Sequence, residues 1–213
     1  MSSLYIEDRI LIHDVPFTLE ELETDCWRRL FYGARSSREP MHYMSVASYG
    51  ESGISLRTVV LRAADPHGKT LRFHTDTRSG KFRELQADPR VSVLCYDNPQ
   101  KMQIRMTGIA TLHTDDALAE ECWQKTALHS RRCYLAEAAP SSPSDVPTTG
   151  LPEHLRFQNP EPEESEMGRK HFAVVMIRMH SLDWLYLHAH GHRRAHFTYA
   201  DNGVLQTKQW LHP

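Results

Sequence analysis

Ser79, Gly80 and Lys81 follow a strand-like run and open a stretch of helical spacing. The start of a helix exposes unpaired N–H groups and a partial positive charge. A hydroxyl, a glycine and a lysine placed there make a site for an anion such as phosphate. The plainer reading is that Ser79 caps the helix and Lys81 is a solvated base. Upstream, SLRTVVLR (55–62) sets Arg57 and Arg62 in an otherwise apolar strand. Their positions differ in parity, so a regular strand points them to opposite faces. For both to meet one ligand, one must stand at a strand end or a bulge must intervene. Two surface arginines on a half-exposed strand are the alternative. Phe73, His74, Thr75 and Asp76 come just before the anion turn. A strand ending there leaves backbone groups free to meet a flat heterocycle, and Gln103 offers donors and an acceptor to the edge of such a ring.

The chain holds 14 histidines. His188, His190 and His192 alternate, so a continuous strand would place all three on one face, where imidazoles bind zinc or copper. Gly191 within the run favours a turn to the same degree. The adjacent acids Asp115-Asp116 and Glu120-Glu121 do not face each other on a helix and read as solvated charge. No elbow-type motif supports a Ser-His-Asp arrangement.

The elements that must position these residues follow from periodicity. Residues 16–35 read as a helix, with Thr18 and Glu21 forming a capping box and Leu19, Leu22, Cys26, Trp27 and Leu30 recurring at helical spacing up to Gly33. Strand patterns cover 41–50, 54–64, 71–76, 90–97 and 101–113, with a turn at Asp65–Gly68. Arg78–Ala87 is a helix stopped by Asp88-Pro89. Residues 115–132 read as one helix with acids first and bases last. A Pro-rich insertion or lid spans about 136–169. Strand patterns return over 171–190, 193–199 and 203–211. Short hairpins rather than alternating strands and helices imply a mainly β fold with flanking helices, an antiparallel barrel built as a single domain over 1–213.

The bulk numbers fit a globular chain: 213 residues, 40% hydrophobic, 24% charged, with a formal net charge of -2. No basic excess points to nucleic acid. No apolar run is long enough to span a bilayer, and the first residues lack the pattern of a secretory leader, which sets the expectation of a cytoplasmic protein. Cys26, Cys95, Cys122 and Cys133 form no CxxC pair and are expected as free thiols.

The order RTVVLR, DPHG, LRFHTD, RSGK, ADPRVSVLCY, QIRMTG over residues 54–113 resembles the pyridoxamine 5'-phosphate oxidase-like flavoproteins, the FMN-binding split barrels. The likeness returns at Trp184, Arg193-Arg194 and the terminal WLHP. It implies an antiparallel split β-barrel that pairs with a second copy, holding FMN at the subunit interface and acting on a small molecule. By the same resemblance, Arg57 and the segment Thr58, Val59 and Val60 touch the FMN phosphate and ring, and His74 and Thr75 lie beside the flavin. Ser79 and Lys81 hold the phosphate, Gln103 meets the ring, and Trp184 and Arg194 cover the cofactor from the other subunit. Arg62 stands where the family has a lysine near flavin and substrate, and Gly80 where it has an arginine. Cys122, Thr126 and Ser130 stand where the authentic oxidases resemble Tyr, Arg and Ser, so the substrate-phosphate arginine is missing. These departures point away from vitamin B6 oxidation and toward an FMN-dependent oxidoreductase with another substrate. A split barrel that stores flavin or haem without catalysis, and a His-rich metal binder, are the alternatives.

Overall fold

The computed structural model describes residues 5–6 and 9–213. Three short strands, β1 (Tyr5–Ile6), β2 (Arg9–Ile12) and β3 (Val15–Phe17), form a small antiparallel sheet. Helix α1 (Leu19–Gly33) follows. Its first turn is fixed by the expected box: Thr18 Oγ1 accepts from the Glu21 N–H at 3.3 Å, and Glu21 Oε2 accepts from the Thr18 N–H at 2.8 Å. The helix starts later than the 16–35 pattern implies, because 15–17 pair with β2.

The main sheet contains β4 (Tyr43–Gly50), β5 (Gly53–Val60), β6 (Ala63–Asp65), β7 (Thr70–Asp76), β8 (Arg90–Asp97), β9 (Met102–His113), β10 (Phe172–Tyr186), β11 (Arg193–Tyr199) and β12 (Leu205–Leu211). Its order is β12-β11-β10-β9-β8-β4-β5, and every ladder is antiparallel. Strand β10 is long enough to change neighbours: Phe172–Arg178 pairs with β7, and Ser181–Tyr186 pairs with β11. The β10–β9 register shifts between Met179 and Ser181. Gly108 lies opposite Met179 there, and a Cβ on it would sit 2.2 Å from the Arg178 carbonyl oxygen. Strand β6 pairs only with β7, and among the described residues no ladder joins β5 to β7. The sheet therefore curls without closing, as a split barrel.

Alternation along β8 shows how the sequence sorts the two faces. Val91, Val93, Cys95 and Asp97 are buried, while Arg90, Ser92, Leu94 and Tyr96 are exposed. The inner face joins Met44, Val46, Phe73, Ile104, Met106, Ile177 and Phe197 in one core, against which α1 lays Leu22, Cys26, Trp27 and Leu30. Each such large side chain contributes about 1.5–3 kcal/mol when fully buried. Polar bonds fix the docking of α1. Trp27 Nε1 donates to Tyr199 Oη at 2.9 Å, Tyr199 donates to Glu23 at 2.9 Å, and Lys69 reaches Glu23 at 2.7 Å.

Between β7 and β8 lies α2 (Gly80–Ala87). Between β9 and β10 comes a cap of α3 (Ala117–Lys125), α4 (Leu128–Arg131), α5 (Pro162–Ser165) and 3-10 turns at Arg132–Leu135, Glu153–Leu155 and Glu166–His171. The single helix expected over 115–132 is thus two. Thr126 and Ala127 are extended, and Arg131 turns back to donate to the carbonyls of Thr126 and Trp123, both at 2.9 Å. The proline-rich segment is partly ordered as turns, with Leu155 and Ser165 buried. Trp123, Tyr134, Phe172 and Val174 form a second apolar cluster beneath the cap.

Candidate functional site

The N-terminus of α2 is built as expected. Ser79 caps it, its Oγ accepting from the Phe82 N–H at 3.4 Å. The Thr75 and Ser79 hydroxyls stand 3.1 Å apart, and Lys81 Nζ donates to Thr75 Oγ1 at 3.2 Å. Thr75 and Ser79 are buried. Burial lowers the pKa of the Lys81 ammonium, and the nearby Arg57 charge lowers it further, against the pull of Asp76 and Glu84. Asp76 is itself spent on Arg78, at 2.7 Å. A Cβ on Gly80 would meet nothing closer than a Glu84 oxygen at 3.9 Å, so the space beside this turn is open.

Arg57 reaches this cluster from β5. Its guanidinium donates to Ser48, Ser55 and Glu84, each at 2.5 Å. Ser48 also donates to Glu84 at 2.6 Å. Burial would raise the Glu84 pKa, but the bonds from Ser48 and Arg57 and the Arg57 charge outweigh it, so Glu84 stays ionised. Sequence reasoning missed these three partners. Their signal was weak: two serines paired across the β4–β5 hairpin, and an acid one helical turn after Lys81.

The parity conflict between Arg57 and Arg62 is resolved by a break. The run expected as one strand over 54–64 is split into β5 and β6 by Leu61 and Arg62. The Arg62 N–H donates to the Arg72 carbonyl at 2.8 Å, and the charge of its exposed side chain is felt by Cys133 and Tyr134 of the cap. His74 is on the same side, its ring edge-on to Phe172 at 4.7 Å. Burial, then the charges of Arg62 and Arg72, hold the His74 imidazole down to about 3, so it is neutral at ordinary pH.

The remaining residues lie elsewhere. Thr58 is exposed on the outer sheet face with Val60 beside it, whereas Val59 faces the core. Gln103 and Arg194 are both opposite Leu185 on that outer face. The Gln103 amide makes no hydrogen bond among the described residues, while Arg194 grips Asp183 at 2.7 and 2.9 Å. Strand β9 is three strands from β5, roughly 14 Å along the sheet at about 4.8 Å per strand. One chain therefore brings Arg57, Thr75, Ser79 and Lys81 together, and separately Gln103 and Arg194. Trp184 was expected to cover a cofactor. It is fully buried between Tyr186 and Trp210, because even-numbered β10 residues here point into the core. It offers no surface to a ligand.

The histidine run does not continue β10. It occupies the turn between Tyr186 and Arg193, with the His188 and His190 rings 5.4 Å apart. Among the described residues no group of three His, Cys, Asp or Glu side chains is placed to hold a metal. Among them also, no helix is long and apolar enough to cross a membrane. The four cysteines are free thiols.

The family model described as pyridoxamine 5'-phosphate oxidase matches residues 35–151, which contain Arg57, Thr75, Ser79, Lys81 and Gln103 and the cap's start. The chain belongs to the pyridoxamine 5'-phosphate oxidase family. A pyridoxine/pyridoxamine 5'-phosphate oxidase of Kineococcus radiotolerans is 33% identical over 161 residues, covering 63% of this chain and 70% of the relative. Two solved structures share the fold of this family member. A pyridoxamine 5'-phosphate oxidase-related, FMN binding protein of Nostoc punctiforme has TM-score 0.68 at 22% identity, over 89% of this chain and 96% of that one. PhzG of Burkholderia lata, solved with tetrahydrophenazine-1-carboxylic acid, has TM-score 0.66 at 20% identity, over 89% and 92%.

The residues present suit the phosphate end of an FMN. A dianion beside Gly80 would meet the Lys81 ammonium, two hydroxyls, the first N–H groups of α2 and the Arg57 guanidinium. Glu84 offsets part of that charge.

Proposed function

We propose that this chain is an FMN-dependent oxidoreductase acting on a small molecule as a cytoplasmic homodimer, with FMN between the two copies. The observation that supports it most is the bond from Lys81 to Thr75, whose hydroxyl also meets Ser79 at the head of α2, within electrostatic reach of Arg57. These side chains would anchor the phosphate. Gln103 and Arg194 lie too far along the sheet to join them in one chain, so a second copy would bring its own pair to the ring. Thr58 and Val60 would line the ring's edge, and neutral His74 would flank it without adding charge. Bound FMN supplies reversible hydride and electron chemistry, while the protein orients it and sets the charge around it. Arg62 would hold fixed positive charge on the substrate side.

Purified protein tests this directly. One FMN per chain is expected by absorbance, with reduction by an added donor under anaerobic conditions and reoxidation by substrate or oxygen. Lys81→Ala removes a charge-assisted bond and is expected to weaken FMN binding at least tenfold, read by quenching of flavin fluorescence. A colourless protein that ignores added FMN overturns the reading. FMN that binds but cannot be cycled leaves a flavin store rather than an enzyme.

A further inference from the structure

A groove of about 680 Å³ lies between the β4–β5 hairpin and the face of α2 opposite buried Phe82 and Leu85. Gly80, Arg83, Glu84 and Ala87 line one wall, at the spacing of a single helix face. The end of the hairpin, from Tyr49 to Ser55, lines the other. The groove opens from the phosphate anchor, since Ser55 and Glu84 belong to its lining and are also partners of Arg57. FMN ends at its phosphate, so FMN alone leaves the groove unfilled.

Two glycines keep the walls apart. Gly53 sits at φ +125°, a conformation that suits glycine, and a Cβ on it would meet nothing within 4 Å among the described residues. A Cβ on Gly80 would meet only a Glu84 oxygen, at 3.9 Å. Bare backbone at a helix start lets a pyrophosphate approach closely. Charge is graded along the groove. At the head of α2, Arg83 joins Lys81 and Arg57, its Nη1 folded back to donate to the Arg78 carbonyl at 2.8 Å. At the far end stands Asp88, paired with Arg90 at 2.5 Å, while exposed Glu51 belongs to the hairpin wall. The helix dipole runs the same way, positive at Gly80 and negative past Ala87. Arg90 also lies 4.7 Å from the Tyr49 ring, which sets that ring beside Asp88 and leaves it 49% exposed. An anion at one end, then a flat ring that stacks and donates hydrogen bonds, describes an adenylate.

We infer that the flavin site takes the flavin dinucleotide FAD as well as FMN, with the adenylate half in this groove. Its second phosphate lies over Gly80 beside Arg83, and its base lies against Tyr49 with the exocyclic amine toward Asp88. Gly80 then decides how long a cofactor the site admits. This rests on the flavin reading, because the first phosphate is the one that Lys81, Thr75, Ser79 and Arg57 would hold.

Calorimetric titration of the flavin-free protein with FMN and with FAD tests it. FAD is expected to bind at one per chain with a Kd within about tenfold of that for FMN. Gly80→Arg fills the entrance with a side chain and is expected to lower the FAD-to-FMN affinity ratio by about tenfold or more. Space beside Gly80 admits the new side chain, so the fold is expected to survive, as read by circular dichroism. Arg83→Ala is expected to lower the same ratio by about threefold, the effect of an exposed charge. FMN that binds while FAD is bound more weakly than this overturns the inference and keeps the flavin reading. A ratio that neither variant moves means that the adenylate hangs in solvent, which also overturns it. A protein that takes neither flavin removes the inference together with the reading beneath it.

Discussion

At the scale of single residues, the site is a contest between burial and charge. His74 shows it most sharply. Its imidazole is held neutral by burial and by two arginines, its pKa falling from 6.5 to about 3. The unfolded chain therefore takes up a proton near pH 6.5 that the folded chain refuses. Stability from this residue is fully present above pH 6.5 and drains away as pH falls toward 3, by up to about 1.4 kcal/mol per pH unit. Urea unfolding of wild type against His74→Asn, followed from pH 7.5 to 4.5, is expected to show this extra loss in wild type alone. Equal slopes would mean the imidazole is protonated in the fold. Some of this was legible in the sequence: Ser79 and Lys81 at a helix start declare an anion site by type and spacing. Arg72 was not. As one polar residue alternating with Leu71 and Phe73, it reads as ordinary strand exposure, and only the β6–β7 ladder sets it beside Arg62.

At the scale of elements, local signals were readable where they are local in cause. The Thr18–Glu21 box fixes the head of α1, and the alternation of β8 is visible as Arg-Val-Ser-Val-Leu-Cys-Tyr-Asp. The break after α3 was not readable, because its cause is tertiary. Arg131 is buried, stacks on Trp123 at 4.6 Å, and donates to Trp123, Thr126, Ser165 and Glu166. One side chain thus ends α3 and ties it to the turns after the proline-rich segment. Arg131→Met keeps much of the apolar contact and leaves those carbonyls and the Ser165 hydroxyl without their donor. The cost is about 2 kcal/mol, and half-exposed Glu166 adds little to it. Hydrogen exchange is expected to speed up over 126–135 and 162–171 while β8 and β9 keep their protection. Uniform loosening of the whole chain would show that the cap is not a separate cooperative unit.

At the scale of the whole molecule, the outer sheet face asks for a partner. Thr58, Ser45, Leu94, Arg105, Asp183 and His196 stand in one row across six strands. Along the neighbouring rows Tyr43, Tyr49, Ile54, Leu56 and Tyr96 are exposed, Ile54 to 73% and Leu56 to 69%. Scattered apolar residues on a surface need no explanation, but a contiguous set on one sheet face marks an interaction site. The two halves of the proposed cofactor site give that face its occupant. Gln103 and Arg194 lie on it, three and five strands from β5, roughly 14 Å and 24 Å along the sheet, and a second copy laid face to face would carry its own Gln103 and Arg194 toward the first copy's edge strand β5, behind which Arg57 and Lys81 stand. Leu56→Asp puts a charge in the middle of the face while touching nothing in the core, so the monomer's fold is expected to survive. Sedimentation is expected to show a dimer for wild type and a monomer for the variant at micromolar concentration. FMN occupancy is expected to fall with the dimer, because each copy then keeps the phosphate anchor and loses the ring contacts. A monomeric variant that binds FMN as tightly as wild type would place the whole cofactor site within one chain, and Gln103 and Arg194 would then have no part in it.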